Sequence, residues 1–212
     1  MNKATLPVLA ALTAAGLFVG SLKLPVWHLK MESPQYQGNE ALKVRVYPGS
    51  MQGDLREITV LNKYIGVRIP EKLPELRWLP LVLLAGAALG LGALALPRAR
   101  RSWGLFGTAA LVSVVMLTSA GMAQAQMHRI GHDRNPHAAL KGVPDFTPPI
   151  LGRVKVANFE ITTSLGSGAW LIGAGVLLQI GAGALARRRE PVGREPVKAR
   201  PNQVPVHSEV VA

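Results

Sequence analysis

The sequence predicts a membrane protein, mostly α: a four-transmembrane-helix bundle with a small external α+β cap formed from two periplasmic loops. Three observations predict it. The apolar content, 49% of 212 residues with only 5% aromatic, is gathered into four blocks of near-spanning length. Basic clusters sit directly beside those blocks, at Arg98, Arg100, Arg101 and at Arg187, Arg188, Arg189. Two polar segments between the blocks carry strand-like and helix-like patterns of their own.

The first apolar run, Leu6–Leu22, follows Lys3 and continues in character through Leu24-Pro25-Val26-Trp27. An uncleaved signal anchor is expected over 1–22 rather than a cleaved signal peptide, with Trp27 at the far interface. The second run, 79–96, carries no charge, is entered at Trp78 and leaves through Pro97-Arg98. A basic cytoplasmic turn, 97–104, leads to the third run, 105–125, with Trp103 at its basic end. The fourth, 165–186, stops at the three arginines that open the tail, 187–212. That tail is Pro-rich and charged without apolar periodicity, and is expected to be disordered. Placing Lys3 and both arginine clusters in the cytoplasm puts segments 23–78 and 126–164 outside. The net charge of +12 then reads as a topology signal, and no nucleic-acid partner is expected. Gly86 and Gly90 are spaced for close helix contact in the bundle.

Within segment 23–78, Leu42–Tyr47 (LKVRVY) alternates apolar and basic residues, predicting a half-buried strand broken by Pro48-Gly49. Asp54 and Glu57 are spaced as a capping box. Ile58, Leu61 and Ile65 follow on one helical face, and Gly66 stands where a left-handed C-cap is wanted, predicting a helix over Leu55–Ile65. Pro70 and Pro74 point to an extended return to the membrane. In segment 126–164, Val154–Thr162 alternates partly and is expected to pair with Leu42–Tyr47.

No cysteine is present, so disulfides and thiolate ligation are excluded. The four runs hold no Asp, Glu, Lys, Arg or His, which removes the intramembrane charge that pumps and permeases use. Phosphate-loop, nucleophile-elbow, zinc-protease and dinucleotide motifs are missing, and no enzymatic activity is expected. The remaining chemistry is imidazole and thioether, the ligand types expected for copper in a cysteine-free external setting. The candidate metal ligands are His132, His128 and Met127 at the outer end of the third run, with His28 and Met31 from the other segment. His128 and His132 share a helix face if that run continues outward; His137 lies beyond Pro136. For each residue singly, surface hydrogen bonding or packing is the commoner role.

Several stretches carry a resemblance: P-x-W-x-L-x-M-x-x-P-Q-Y (Pro25–Tyr36), G-D-L-x-x-I-x-V-L-N-x-Y-I-G (Gly53–Gly66), P-E-L-x-W-x-P (Pro74–Pro80), G-H-D-x-N-P (Gly131–Pro136) and F-T-P-P-I-L-G (Phe146–Gly152). In order and spacing, from about Pro25 to Gly175, the chain resembles a poorly characterised family of bacterial four-span membrane proteins. The resemblance implies an association with copper-dependent respiratory enzymes, notably nitrous oxide reductase maturation. A partner cuproenzyme or copper-delivery protein would follow. The family is expected to carry histidine where this chain has Lys63 and none at His137, leaving His132 the better candidate. The alternative is a metal-free scaffold or accessory subunit, with the Leu55–Ile65 helix and the Pro34-Gln35-Tyr36 turn as partner surface.

Overall fold

The computed structural model describes residues 5–66, 76–133, 135, 137, 145–156 and 158–188. The expected extended path at Pro70 and Pro74 and the expected disordered tail lie outside them. Helix α1, Leu6–Ser21, opens on Pro7, whose fixed φ suits a first turn. Strand β1, Trp27–Glu32, leads through a 3-10 turn at Gly38–Glu40 to β2, Leu42–Tyr47. A two-residue turn at Pro48-Gly49, with Gly49 at φ +83, returns the chain as β3, Ser50–Gly53. Helix α2, Leu55–Ile65, follows, then α3, Leu79–Ala95, and α4, Arg98–His132. Strands β4, Gly152–Val156, and β5, Phe159–Leu165, form a hairpin before helix α5, Ser167–Arg187.

The strands make one antiparallel sheet in the order β3-β2-β1-β5-β4. Its centre is β1, bonded to β2 on one side and β5 on the other. Alternation assigns the faces: Met31, Leu42, Val44, Val46, Val156 and Ile161 are buried on one, while Lys43 and Arg45 stand exposed on the other. The buried face joins Ile58 of α2 and the sheet-proximal ends of the apolar helices, represented by Phe18, Leu79, Leu83, Val112 and Ile172, in one continuous core.

A four-transmembrane-helix bundle with a small cap is not what forms. Helix α1 has 16 residues and α3 has 17. At 1.5 Å per residue these reach about 24 and 26 Å, short of a hydrocarbon core of about 30 Å. Of the described helices, only α4 and α5 are long and apolar enough to cross a membrane. Pro7 and Pro80 lie in the first turns of α1 and α3, and extended Leu96 before Pro97 ends α3, so each of these two apolar runs is one residue longer than the helix it forms. The β part is a five-stranded sheet that takes in both polar segments and lies over the helix ends. The architecture is therefore α+β, with four apolar helices packed side by side, each against two neighbours, under the sheet.

Other expectations are met or revised locally. Strand Leu42–Tyr47 and helix Leu55–Ile65 form with the expected bounds, and Gly66 takes φ +82 at the C-cap. The Asp54 carboxylate also serves the sheet: Oδ2 accepts the Lys43 N–H at 2.8 Å and closes the end of the β2–β3 pair. The stretch 154–162 divides into two strands, and β5 pairs with β1, not β2. The basic turn expected over 97–104 is mostly the first turns of α4.

Glycines set the helix contacts. The ring of Phe18, fully buried, lies between Gly86 of α3 and Gly175 of α5, with Val112 also against Gly86. Gly90 accepts the Gln179 side chain where a methyl group would overlap its Nε2.

The outward sides of the helices are apolar. Leu9, Leu12, Val19, Leu81, Leu89, Val114, Leu117 and Leu177 are all exposed. Only 28% of the apolar window is buried in α4 and in α5, and neither helix is N-terminal. A soluble core helix is mostly covered, and these are not, so the protein is membrane-associated. Trp78 and Trp170 stand exposed at the sheet end of α3 and α5, and Trp103 at the opposite end beneath the Arg187 guanidinium, 6.0 Å from its ring centroid. Tryptophans thus stand exposed at both ends of the apolar belt.

Candidate functional site

Helix α4 runs past the apolar stretch to His132, as the sequence reading required for its histidines to share a face. What holds this extension is the segment Phe146–Leu151 laid along it. Pro148 and Pro149 have no N–H, so the segment is held through their carbonyls and through both the amide and the carbonyl of Ile150. Gln124 of α4 grips it twice: Oε1 accepts the Ile150 N–H at 2.9 Å and Nε2 donates to the Pro148 carbonyl at 3.3 Å. From the sheet, Trp27 Nε1 donates to the Ile150 carbonyl at 2.6 Å and Thr163 Oγ1 to the Pro149 carbonyl at 2.9 Å. Gly131 lets α4 approach the Phe146 carbonyl where a Cβ would collide. At the helix end the Asn135 N–H donates to the Gly66 carbonyl at 2.9 Å, so the motifs G-H-D-x-N-P and L-N-x-Y-I-G meet through the backbone.

His128 and His132 stack on the exposed side of this last stretch, ring centroids 3.9 Å apart and planes tilted by 33°. His132 Nδ1 is 2.9 Å from the His128 carbonyl, an acceptor only, so Nδ1 carries a proton. The neutral ring then has its lone pair on Nε2. His128 Nδ1 is 3.0 Å from the Thr147 hydroxyl, which can serve either tautomer. Two imidazoles converging on one tetrahedral ion with bonds of about 2 Å place their ring centroids about 5 Å apart. The stacked pair is closer than that. One ring must swing outward before both nitrogens can reach one ion.

The other candidates are elsewhere. Met127, one residue from His128 and about 100° around the helix, packs towards Ile130, Phe146 and Phe159 and lines an apolar cavity of about 100 Å³ with Trp27, Val46, Leu79 and Met116. Met31 is 4% exposed inside the sheet core between Leu42 and Ile161. His28 lies on the opposite face of β1, between Arg45 and Ser164. Thus the five sequence candidates occupy four places, and of them only His128 and His132 adjoin. Among the described residues no group of three or more His, Asp or Glu could hold a metal ion. His137 is exposed, its N–H donating to Asn135 Oδ1 at 3.0 Å.

The apolar face of α2, expected as a partner surface, is taken up internally: Ile58 is 2% exposed and Leu55 and Leu61 pack beside it. Pro34 and Gln35 are exposed while Tyr36 leans on the core. Thr147 and Gln124 were not singled out from the sequence. Two adjacent prolines beside a helix that carries glutamine at its apolar end are the pattern that points to such a clamp.

What the fold and site define is a membrane-associated α+β protein with a polar head at one end of its helices. No family model matches the chain, and no curated protein matches it.

Proposed function

We propose that the protein is an accessory subunit of a membrane protein complex, held by its apolar helices and offering its sheet-bearing head to a partner. The carrying observation is the division of the molecule: exposed leucines and tryptophans along the helices, and a charged sheet face turned away from them. The β4–β5 hairpin links α4 to α5, so the sheet lies at the end opposite Arg100, Arg101, Arg187 and Arg188. With those arginines in the cytoplasm, the head of a bacterial inner-membrane protein faces the periplasm. Two readouts test this. The chain has no cysteine, so Ser50→Cys and Arg188→Cys can be labelled one at a time. Impermeant maleimide added outside should reach the first and not the second. In native gels of gently solubilised membranes the protein should migrate in an assembly larger than itself; migration alone rejects the accessory role.

A second reading is copper handling for a respiratory cuproenzyme, the role implied by the resemblance to proteins associated with nitrous oxide reductase maturation. The observation favouring it is the adjacent His128–His132 pair with the free Nε2 lone pair of His132. The supporting result is Cu(I) taken from a competing chelator by the detergent-solubilised protein and lost in the His128→Ala/His132→Ala variant. Uptake unchanged in that variant rejects it.

A further inference from the structure

The outer sheet face carries rows of side chains that the core does not use. Across the strands, Gln52, Arg45, His28 and Ser164 form one row and Lys43, Lys30, Thr162 and Arg153 the next. The third is Glu32, Glu160 and Lys155. Five cations (Lys30, Lys43, Arg45, Arg153, Lys155) thus face two carboxylates in these rows, with a third, Asp54, at the strand end beside Lys43 where it accepts the Lys43 N–H.

Both carboxylates in the rows are already engaged. Glu32 Oε1 holds Lys30 Nζ at 2.7 Å, and Glu160 Oε1 lies 3.7 Å from Arg153. Lys43 and Arg45 have no ion-pair partner among the described residues, and both are exposed. Lys43 stands directly across from Lys30, a like-charge pair that costs stability in an antiparallel sheet. His28, Tyr47, Thr162, Ser164 and Ser167 complete a shallow depression around these cations, adding hydroxyl donors.

We propose that this face, centred on Lys43 and Arg45, is the docking surface for an acidic polypeptide segment of the partner. The inference rests on the accessory reading and names the chemistry of its partner. The opposite face of the sheet is buried in the core, so this face is the one open to solvent, its depression reaching down to Pro25 and Ser167 at the helix ends. Strands spaced about 4.8 Å apart and rising about 3.3 Å per residue give a face of roughly 500 Å². A standard interface buries about 800 Å² per partner. Such a contact is small, electrostatically steered and salt-sensitive, which suits a cationic face with hydroxyl donors better than an apolar anchor.

The experiment uses the full chain in nanodiscs of zwitterionic lipid, titrated with a fluorescein-labelled deca-glutamate peptide and read by anisotropy. Binding is expected at 50 mM salt and should weaken about tenfold or more by 200 mM. Lys43→Glu/Arg45→Glu should weaken it at least tenfold, while Arg100→Glu/Arg101→Glu, at the opposite end, should change it less than twofold. Lys43→Glu also places a carboxylate opposite Lys30, so the charge-reversed sheet should keep its fold, checked by circular dichroism. Equal loss in both variants, or no binding by the wild type at low salt, overturns the proposal. Preference for phosphatidylglycerol vesicles or inorganic phosphate over the peptide, with the same dependence on Lys43 and Arg45, overturns it as well. In native gels, an assembly that survives Lys43→Glu/Arg45→Glu leaves the accessory role standing and removes this face as its dock. A wild-type protein that migrates alone removes the accessory role, whatever the titration shows.

Discussion

Gln179 of α5, fully buried among apolar helices, donates from Nε2 to the carbonyl of Gly86 on α3 at 3.3 Å, and among the described residues its Oε1 has no donor. The contact exists because Gly90, one turn on, leaves room for the amide. Gly90→Ala should therefore lower stability by about 1–3 kcal/mol through overpacking. Gly92→Ala, where a Cβ meets nothing within 4 Å, should not. Gln179→Leu removes the orphaned oxygen together with the hydrogen bond and should be near neutral or stabilising, as expected when a buried polar group is replaced by an apolar one of similar shape. Thermal unfolding in detergent reads all three.

The clamp on Phe146–Leu151 should yield in graded steps. Trp27→Phe removes the donor to the Ile150 carbonyl together with part of the indole's packing, and the hydrogen bond itself should account for about 0.5–1.5 kcal/mol of the loss. Gln124→Leu removes two bonds, one of them to a backbone N–H in a segment whose neighbouring prolines have none, and should cost more. Faster protease cutting within 146–151, larger for Gln124→Leu, is the expected readout.

Two glycines sit at positive φ. Gly66, at φ +82, should lose about 1–2 kcal/mol as alanine through backbone strain. Gly53, at φ +121, also faces the Lys43 carbonyl where a Cβ would collide, so Gly53→Ala should cost more and open the β2–β3 edge. Denaturant midpoints, with hydrogen exchange at Val44 and Val46, compare them.

Lys30 holds the Glu32 carboxyl below its ordinary value of 4.5, first through the side-chain hydrogen bond, with the Gly38 N–H assisting. A carboxyl lowered on folding contributes stability that is present above its unfolded pKa and lost as pH falls through the folded one. The loss should thus begin as pH drops below the ordinary glutamate range. Lys30→Met should move the Glu32 titration, followed by carbon-13 shifts, upwards and remove that acid-side loss.

Local pattern determined a good deal of this molecule. The alternation in LKVRVY placed β2, the Ile58/Leu61/Ile65 spacing with Gly66 placed α2, and the apolar runs placed the helices that associate with the membrane. These signals are periodic and short-range, so they survive in sequence. Tertiary structure decided the rest. The sheet order depends on β1: WHLKME alternates apolar and polar residues throughout, which is a strand pattern, but its central place follows only from β2 and β5 both bonding to it. Helix length, and with it the number of helices able to span, was set by where hydrogen-bonded turns begin and end, as in α3, which starts at Leu79-Pro80 and ends at extended Leu96 before Pro97. The site was legible only in part. His128 and His132 are one helical turn apart and meet by helix geometry alone. Met31 and His28 are three residues apart in a strand, where odd spacing puts side chains on opposite faces: one in the core, the other beside the cations of the outer face.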